Sequence, residues 1–301
     1  MAYQRQAWLV LDGQTLYLDD FAAGYAMTEL DLGFPEVRDV TNNKPIANGI
    51  DDRTQFFGSR VIDAKITAWP GGTVELDDIP SLFQPFLNPA ARPELHITRI
   101  SDKTPTEKVI TSLRSSGFAA PMGPPLSREM ELQWIASDPY FRDVQVKSVS
   151  AWTGSPGSPG RTYPLGFNRV YPPGTGAPVT GFPVNNGEVP VFPLVRIYGP
   201  ITYPQLTFTN TGKSGNPNHN YSFLFGPATT IGAAQFIQID CNAKTVLLNG
   251  TTPMQDQVNF QGSQWPLIWP VFGWSCAVNI SGTSTSGVTQ AQVSWQDRFL
   301  S

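Results

Sequence analysis

The sequence predicts a mainly β protein in two parts, and three observations carry that expectation. Glycine and proline are dense, at 27 and 28 of 301 residues, which is too much punctuation for long helices. Short apolar runs alternate with polar positions at period two, the pattern of half-buried strands. Charge divides the chain: residues 1–150 carry 14 basic and 20 acidic side chains, and residues 151–301 carry 6 and 4. The charged fraction is only 15%, but 18 Phe, 9 Tyr and 8 Trp supply ample surface to bury, so the composition is that of a folded chain.

Along the first half, Ile62, Ala64, Ile66 and Ala68 alternate with Asp63, Lys65 and Thr67, a strand with one wet face. Met130, Leu132 and Trp134 alternate with Glu129, Glu131 and Gln133 in the same way. Leu95–Ile100 and Val109–Leu113 are further β-rich runs. One helix is expected over 76–88, where Leu76, Ile79, Phe83, Phe86 and Leu87 fall at helical spacing. Asp77 or Asp78 would cap it, Pro80 suits its first turn, and Pro85 would kink or end it.

The boundary near residue 150 is marked by Gly154-Ser155-Pro156-Gly157-Ser158-Pro159-Gly160, a linker in composition. Proline and glycine stay dense to Pro190, which predicts an extended strap on a surface. Domains of 1–150 and 151–301 follow. In the second, Leu194–Tyr198, Leu206–Thr209, Tyr221–Phe225, Gln235–Asp240, Thr245–Leu248, Ala277–Ile280 and Gln292–Trp295 are short strand candidates. Asn249-Gly250 and Ser281-Gly282 are turn pairs, and Asp240–Lys244 reads as a hairpin loop. That spacing predicts a β-sandwich.

Several function classes lose support. The formal charge is −4 with no basic stretch, unlike a dedicated duplex-DNA binder. No apolar run reaches the roughly 18 residues of a membrane span, and Ala7–Leu11 is too short for the core of a signal peptide. Cys241 and Cys276 cannot make a disulfide framework or a cysteine zinc site, and read as two buried thiols. Thr211-Gly212-Lys213-Ser214 ends like a phosphate-binding loop, but Thr207 stands where that loop needs its first glycine. His96 and His219 sit in no cluster; the first reads as lining a strand face and the second as part of a polar loop. The neighbouring carboxylates Asp51-Asp52 and Asp77-Asp78 are poor acid/base partners, because adjacent strand residues point to opposite faces. Three glycosylation-type triplets, at Asn220, Asn249 and Asn279, carry little meaning without a secretion signal. Trp265, Trp269, Trp274 and Trp295 cluster late; exposed aromatics can stack on sugars, but core packing is the favoured reading. No catalytic, cofactor or metal-ligating set is assigned.

An ordered series of motifs is distinctive. Trp134-Ile135-Ala136-Ser137-Asp138-Pro139-Tyr140-Phe141 closes the first half. Gly160-Arg161-Thr162-Tyr163-Pro164 and Asn186-Gly187 follow, then Pro193-Leu194-Val195-Arg196-Ile197-Tyr198-Gly199-Pro200. Ile237–Asp240 with Val246–Gly250, and the terminal Val293-Ser294-Trp295, complete it. Upstream stand Gly49–Asp52 and Phe57–Arg60. This order resembles the distal tail proteins of long-tailed, non-contractile (siphovirus-type) bacteriophages.

The resemblance implies an N-terminal β domain that forms a hexameric ring through an extended β arm, and a galectin-like C-terminal β-sandwich outside the ring. It implies a virion protein at the tail tip, assembled in the host cytoplasm, that joins the tail tube protein to the tail-tip hub protein around a DNA channel. A tape measure protein is a further possible partner, and DNA is only passing cargo. The arm is expected within Leu32–Trp69, with Asp51, Asp52, Phe56, Phe57 and Arg60 at a subunit interface. An edge strand is a hazard in a monomer and a joint in a ring. An acidic balance suits a channel that must not hold phosphate. The sugar-binding residues of true galectins are not matched in order near Asn216–Asn220. The rival readings are a carbohydrate-binding, host-adhesive sandwich, an enzyme with an unrecognised site, and a tail-tube subunit that stacks into filaments.

Overall fold

A computed structural model describes residues 5–43, 50–99, 106–121, 127–154, 178–212, 219–261, 265–283 and 289–300. The protein is mainly β and divides into two compact units, Met1–Val144 with Phe299–Ser301, and Gln145–Arg298. The linker from residue 155, the Gly160–Pro164 motif and Lys213–Asn218 lie outside the described residues.

Among the described residues the first unit holds two larger antiparallel sheets and a two-stranded ribbon, Val37–Asn43 with Ile50–Phe57. One runs in the order Gln14–Tyr17, Arg5–Leu11, Glu94–Arg99, Thr106–Ile110, Phe141–Asp143, with the terminal strand that holds Phe299 at its far edge. The other runs Tyr25–Asp31, Arg60–Ala68, Arg128–Ala136, Leu113–Ala119. Alternation decides which side is dry. On Arg60–Ala68 the residues Ile62, Ala64, Ile66 and Ala68 are buried and their neighbours face out, as the sequence predicts. They share a core with Leu9, Phe83, Leu95, Met130 and Trp134.

The expected helix spans Ile79–Leu87 and buries Ile79, Phe83, Phe86 and Leu87. Pro80 sits in its first turn, and the helix ends two residues after Pro85. Asp78 occupies the N-cap position without a side-chain cap hydrogen bond, while Asp77 pairs with Arg128 at 2.6 Å. The expected run Val109–Leu113 is broken: Ser112 is left-handed (φ +58°), so one strand ends at Ile110 and the next starts at Leu113. The short apolar run Ala7–Leu11 is itself a strand, turned back by Asp12-Gly13, both at positive φ.

The second unit also holds two antiparallel sheets. The first runs Lys147–Trp152, Gln290–Trp295, Leu194–Tyr198, Phe236–Asp240, Thr245–Leu248, Thr252–Pro253. The second runs Thr230–Ile231, Ile201–Gly212, His219–Phe225, Val258–Gln261, with Trp274–Thr283 also paired to Ile201–Gly212. Val195, Ile197, Ile237 and Val293 from the first share one core with Leu206, Phe208, Phe223 and Val278 from the second. Every strand expected here forms. Ile201–Gly212 starts earlier than the apolar run suggests, through an irregular pairing between Thr202 and Gln205 that accommodates Pro204.

The turn expectations divide. Asn249-Gly250 is a turn with both residues at positive φ (51° and 74°). Asp240 Oδ1 accepts the backbone N–H groups of Asn242 and Ala243, which closes the expected hairpin loop. Ser281-Gly282 is not a turn: both residues continue the strand Trp274–Thr283 against Ile201–Gly212. Of the strap, Val179 exchanges two backbone hydrogen bonds with Trp152, and Gly181 exchanges two with Val278. It therefore binds a strand of each sheet. Asn185 is the buried pin of this segment: its amide donates to the carbonyls of Val189 and Ile268, and its Oδ1 accepts from Gly187 N–H.

Candidate assembly surface

In the first unit, Val37–Asn43 and Ile50–Phe57 pair only with each other and join no further sheet among the described residues. A two-stranded ribbon is marginal in water without cover. Its base is fixed by backbone bonds: Gly58 N–H donates to Glu36 O at 2.6 Å, and Glu36 N–H to Ser59 O at 3.4 Å. Asp52 and Asp51 stand opposite Thr41 and Asn42, toward the far end, and Phe56 stands opposite Arg38. The side chains of Asp51, Asp52 and Phe56 lie outside the described residues.

At the base lies an exposed aromatic group. The ring of Phe57 meets Phe34 at 6.1 Å and Tyr140 at 6.2 Å, both edge-on. Phe34 is 63% exposed and Phe57 37%. Large apolar side chains gathered at such exposure form an apolar patch on the first unit. Phe34 carries no signal of its own in the sequence, and Tyr140 stands there only as part of the Trp134–Phe141 motif; the folded chain brings both rings to Phe57.

Arg60 plays another part. Its side chain is 1% exposed, and the partners of its guanidinium lie within its own chain. Its Nη1 donates to the carbonyls of Leu32 (3.3 Å) and Gly33 (3.4 Å), and its Nη2 to that of Leu300. The guanidinium lies 4.7 Å from the ring centre of Phe141. Burial pushes its pKa down, and carbonyls rather than carboxylates are its partners. Gly33 makes this approach feasible: it is left-handed (φ +56°), and a Cβ there would stand 2.3 Å from Val61 O.

The outer face of the four-stranded sheet is acidic. Glu29, Asp31, Asp63, Lys65, Glu131 and Gln133 line a groove of about 570 Å³ there. Register sets Asp31 directly against Asp63, and Glu29 against Lys65. Asp31 Oδ1 accepts from Gly33 N–H at 2.8 Å, and Asp63 Oδ1 from Gln133 Nε2 at 2.8 Å. Lys65 pairs with Glu29 at 2.7 Å; that hydrogen bond, and the charges of Glu29, Glu131 and Glu129, hold its pKa up. Apart from a bridge between Tyr25 and Asp20, the outer strands Tyr25–Asp31 and Leu113–Ala119 each pair on one side only among the described residues. No group of three or more His, Cys, Asp or Glu among the described residues is placed to hold a metal. No helix among them is long and apolar enough to cross a membrane.

The other singled-out residues are engaged in packing. His96 stacks on Trp8 at 5.4 Å, with Nδ1 2.7 Å from Glu107 Oε1. Trp269 stacks on Trp274 (4.8 Å) and on His219 (5.6 Å), Trp265 on Phe260 (5.4 Å), and Trp295 donates to the buried Asp297. The late tryptophans are thus turned toward one another and the core. Cys241 and Cys276 are buried free thiols.

No family model matches the sequence, and no curated protein resembles it at significant similarity. Solved structures do. The crystal structure of the SPP1 Dit protein, described as a paradigm of the hub adsorption apparatus in Gram-positive infecting phages, aligns with a TM-score of 0.60 and 10% identity, over 98% of this chain and 99% of that one. Two structures of the phage p2 baseplate in its activated conformation, with Sr and with Ca, align at a TM-score of 0.42 with 10% and 11% identity, over 97% of this chain and 98% of those. Across nearly its whole length, this chain has the fold of the SPP1 Dit protein.

Proposed function

We propose that the chain is a structural, non-catalytic subunit of a phage tail tip, a distal tail protein that assembles into a hexameric ring between the tail tube and the tail-tip hub. The observation that carries this reading is the ribbon Val37–Asn43 and Ile50–Phe57, which finds no third strand in its own chain among the described residues. A neighbouring copy that covers the ribbon and the Phe34–Phe57–Tyr140 group would stabilise both. Repeating one head-to-tail contact around an axis closes a ring and leaves no ribbon uncovered. The likeness of fold to SPP1 Dit supports the reading.

In such a ring the acidic face of the four-stranded sheet suits the channel wall. Carboxylates at Glu29, Asp31, Asp63 and Glu131 repel phosphate, so DNA passes without binding. The second unit, read as the galectin-like sandwich, would stand outside the ring. The tail tube protein, the hub protein and a tape measure protein would be the partners. Asp51, Asp52, Phe56, Phe57 and Arg60 remain the proposed interface positions, Arg60 as the buried support of the ribbon's base, and Phe34 and Tyr140 join them.

The test is sedimentation of the full chain beside Phe34→Ser and Phe57→Ser variants. The expected result is a hexamer for the natural sequence and folded monomers for the variants. Hexamers that survive both substitutions would place the contact elsewhere.

A further inference from the structure

We propose that the outer face of the six-stranded sheet in the second unit binds an extended glycan bearing uronic-acid carboxylates, with Arg196 as the carboxylate contact. The inference stands on the second unit alone and does not draw on the assembly reading.

Strand alternation builds the face. Val195 and Ile197, Ile237 and Ile239, and Ala291 and Val293 are buried in the core. Their alternates Arg196, Gln238 and Gln292 therefore project from the opposite side. Register sets these three in one row, with Arg196 opposite both Gln238 and Gln292, and puts Tyr198 opposite Phe236 in the next.

The row is held in place before any ligand arrives. Arg196 Nε donates to Gln238 Oε1 at 3.2 Å, and its guanidinium lies 5.5 Å from the centre of the Phe236 ring. Tyr198 O–H donates to Gln292 Oε1 at 3.1 Å, and the rings of Tyr198 and Phe236 are 6.1 Å apart. Both amide oxygens are thus engaged. What the row still offers are donors: the two amide NH2 groups and the outer N–H groups of the guanidinium. Side chains fixed by their neighbours lose less freedom when they bind.

The chemistry of those donors selects the ligand. Arg196 makes no ion pair among the described residues, so it is a fixed cation without its anion. A guanidinium fork matches a carboxylate in two bonds. Amide NH2 groups suit hydroxyl and ring oxygens, and the aromatic pair suits the C–H face of a pyranose. One cation between two amides, with the Asp240 carboxylate of the adjoining row turned to the backbone N–H groups of Asn242 and Ala243, fits one charge per sugar repeat. It does not fit a polyphosphate, whose binding needs several cations. An open sheet face, rather than a concave pocket, fits a chain rather than a single small molecule.

The experiment is calorimetric titration of the full chain with hexagalacturonate, beside cellohexaose as the neutral control and poly(glycerol phosphate) as the phosphate control. The expected result is saturable binding of hexagalacturonate only, weakened by added salt. Arg196→Gln should weaken it about tenfold or more, and Gln292→Ala several-fold, with unchanged melting temperatures. Gln238→Ala provides a second check on the same row. Lack of binding by the folded natural chain would overturn the proposal. So would equal binding of cellohexaose, preference for the phosphate polymer, or affinity untouched by Arg196→Gln and Gln292→Ala.

Discussion

The guanidinium of Arg60 donates to the backbone carbonyl of Leu300, and both belong to the first unit although 240 residues separate them along the chain. The last residues thus complete the unit that the first residues begin. Phe299 packs against the same core, and Lys108 lies 4.2 Å from the centre of its ring. Deleting residues 299–301 should leave part of a buried cation unsatisfied and uncover apolar surface. The expected cost is about 2–4 kcal/mol of first-unit stability. Denaturant unfolding followed by fluorescence measures it. Stability equal to that of the full chain would show that the terminal contacts contribute nothing.

Gly33 should tolerate no side chain. Its left-handed backbone and the 2.3 Å approach that a Cβ would make to Val61 O both penalise alanine. Gly33→Ala is expected to cost at least about 1–2 kcal/mol and to disturb the two carbonyls that hold Arg60 Nη1. Unchanged thermal stability in that variant would contradict the geometry.

Asp31 and Asp63 face each other across two strands, where like charges oppose folding. Asp31→Asn removes the repulsion and keeps an oxygen to accept from Gly33 N–H. It should stabilise the isolated chain by about 0.5 kcal/mol at low salt, and the gain should shrink as salt screens the pair. A gain independent of salt would point to a cause other than charge.

Alkaline pH should loosen both units. Burial, with the charges of Asp20 and Asp19, pushes Tyr25 up to about 12. Burial alone pushes Cys276 up to about 12. Each group is neutral when protonated, and its folded pKa lies above its unfolded value, near 10 for Tyr25 and near 9 for Cys276. The unfolded state therefore sheds its proton first. Stability is full below pH 9, and falls as pH rises through the window from 9 to 12 for Cys276 and from 10 to 12 for Tyr25. The slope should not exceed about 1.4 kcal/mol per pH unit for each group. Cys276→Ala should flatten the fall between pH 9 and 10, which denaturant midpoints at stepped pH will resolve. The same burial predicts that neither thiol reacts with a bulky disulfide reagent until the protein unfolds.

Local pattern made much of this fold legible. The alternation in Arg60–Ala68 and Arg128–Ala136 fixes their buried faces without tertiary knowledge. What the pattern could not give were relations set by partners far along the chain. Arg60 reads as a subunit-interface position in the arm, and nothing nearby in sequence indicates that carbonyls from residues 32, 33 and 300 will surround it. Asp63 and Glu131 read as wet positions, but the register of Tyr25–Asp31 is needed to add Glu29 and Asp31 to the same face. Ser281-Gly282 has turn composition, yet the pairing with Ile201–Gly212 extends the strand through it. The row Gln292, Arg196, Gln238 comes from three strands that are not neighbours in sequence, so only the sheet order assembles it.

Negative-stain imaging of the purified 301-residue chain decides between a ring and its rivals. Assembly through the ribbon gives closed six-fold rings with an open centre. A field of single particles without rings at high protein concentration, or of continuous filaments, would contradict it.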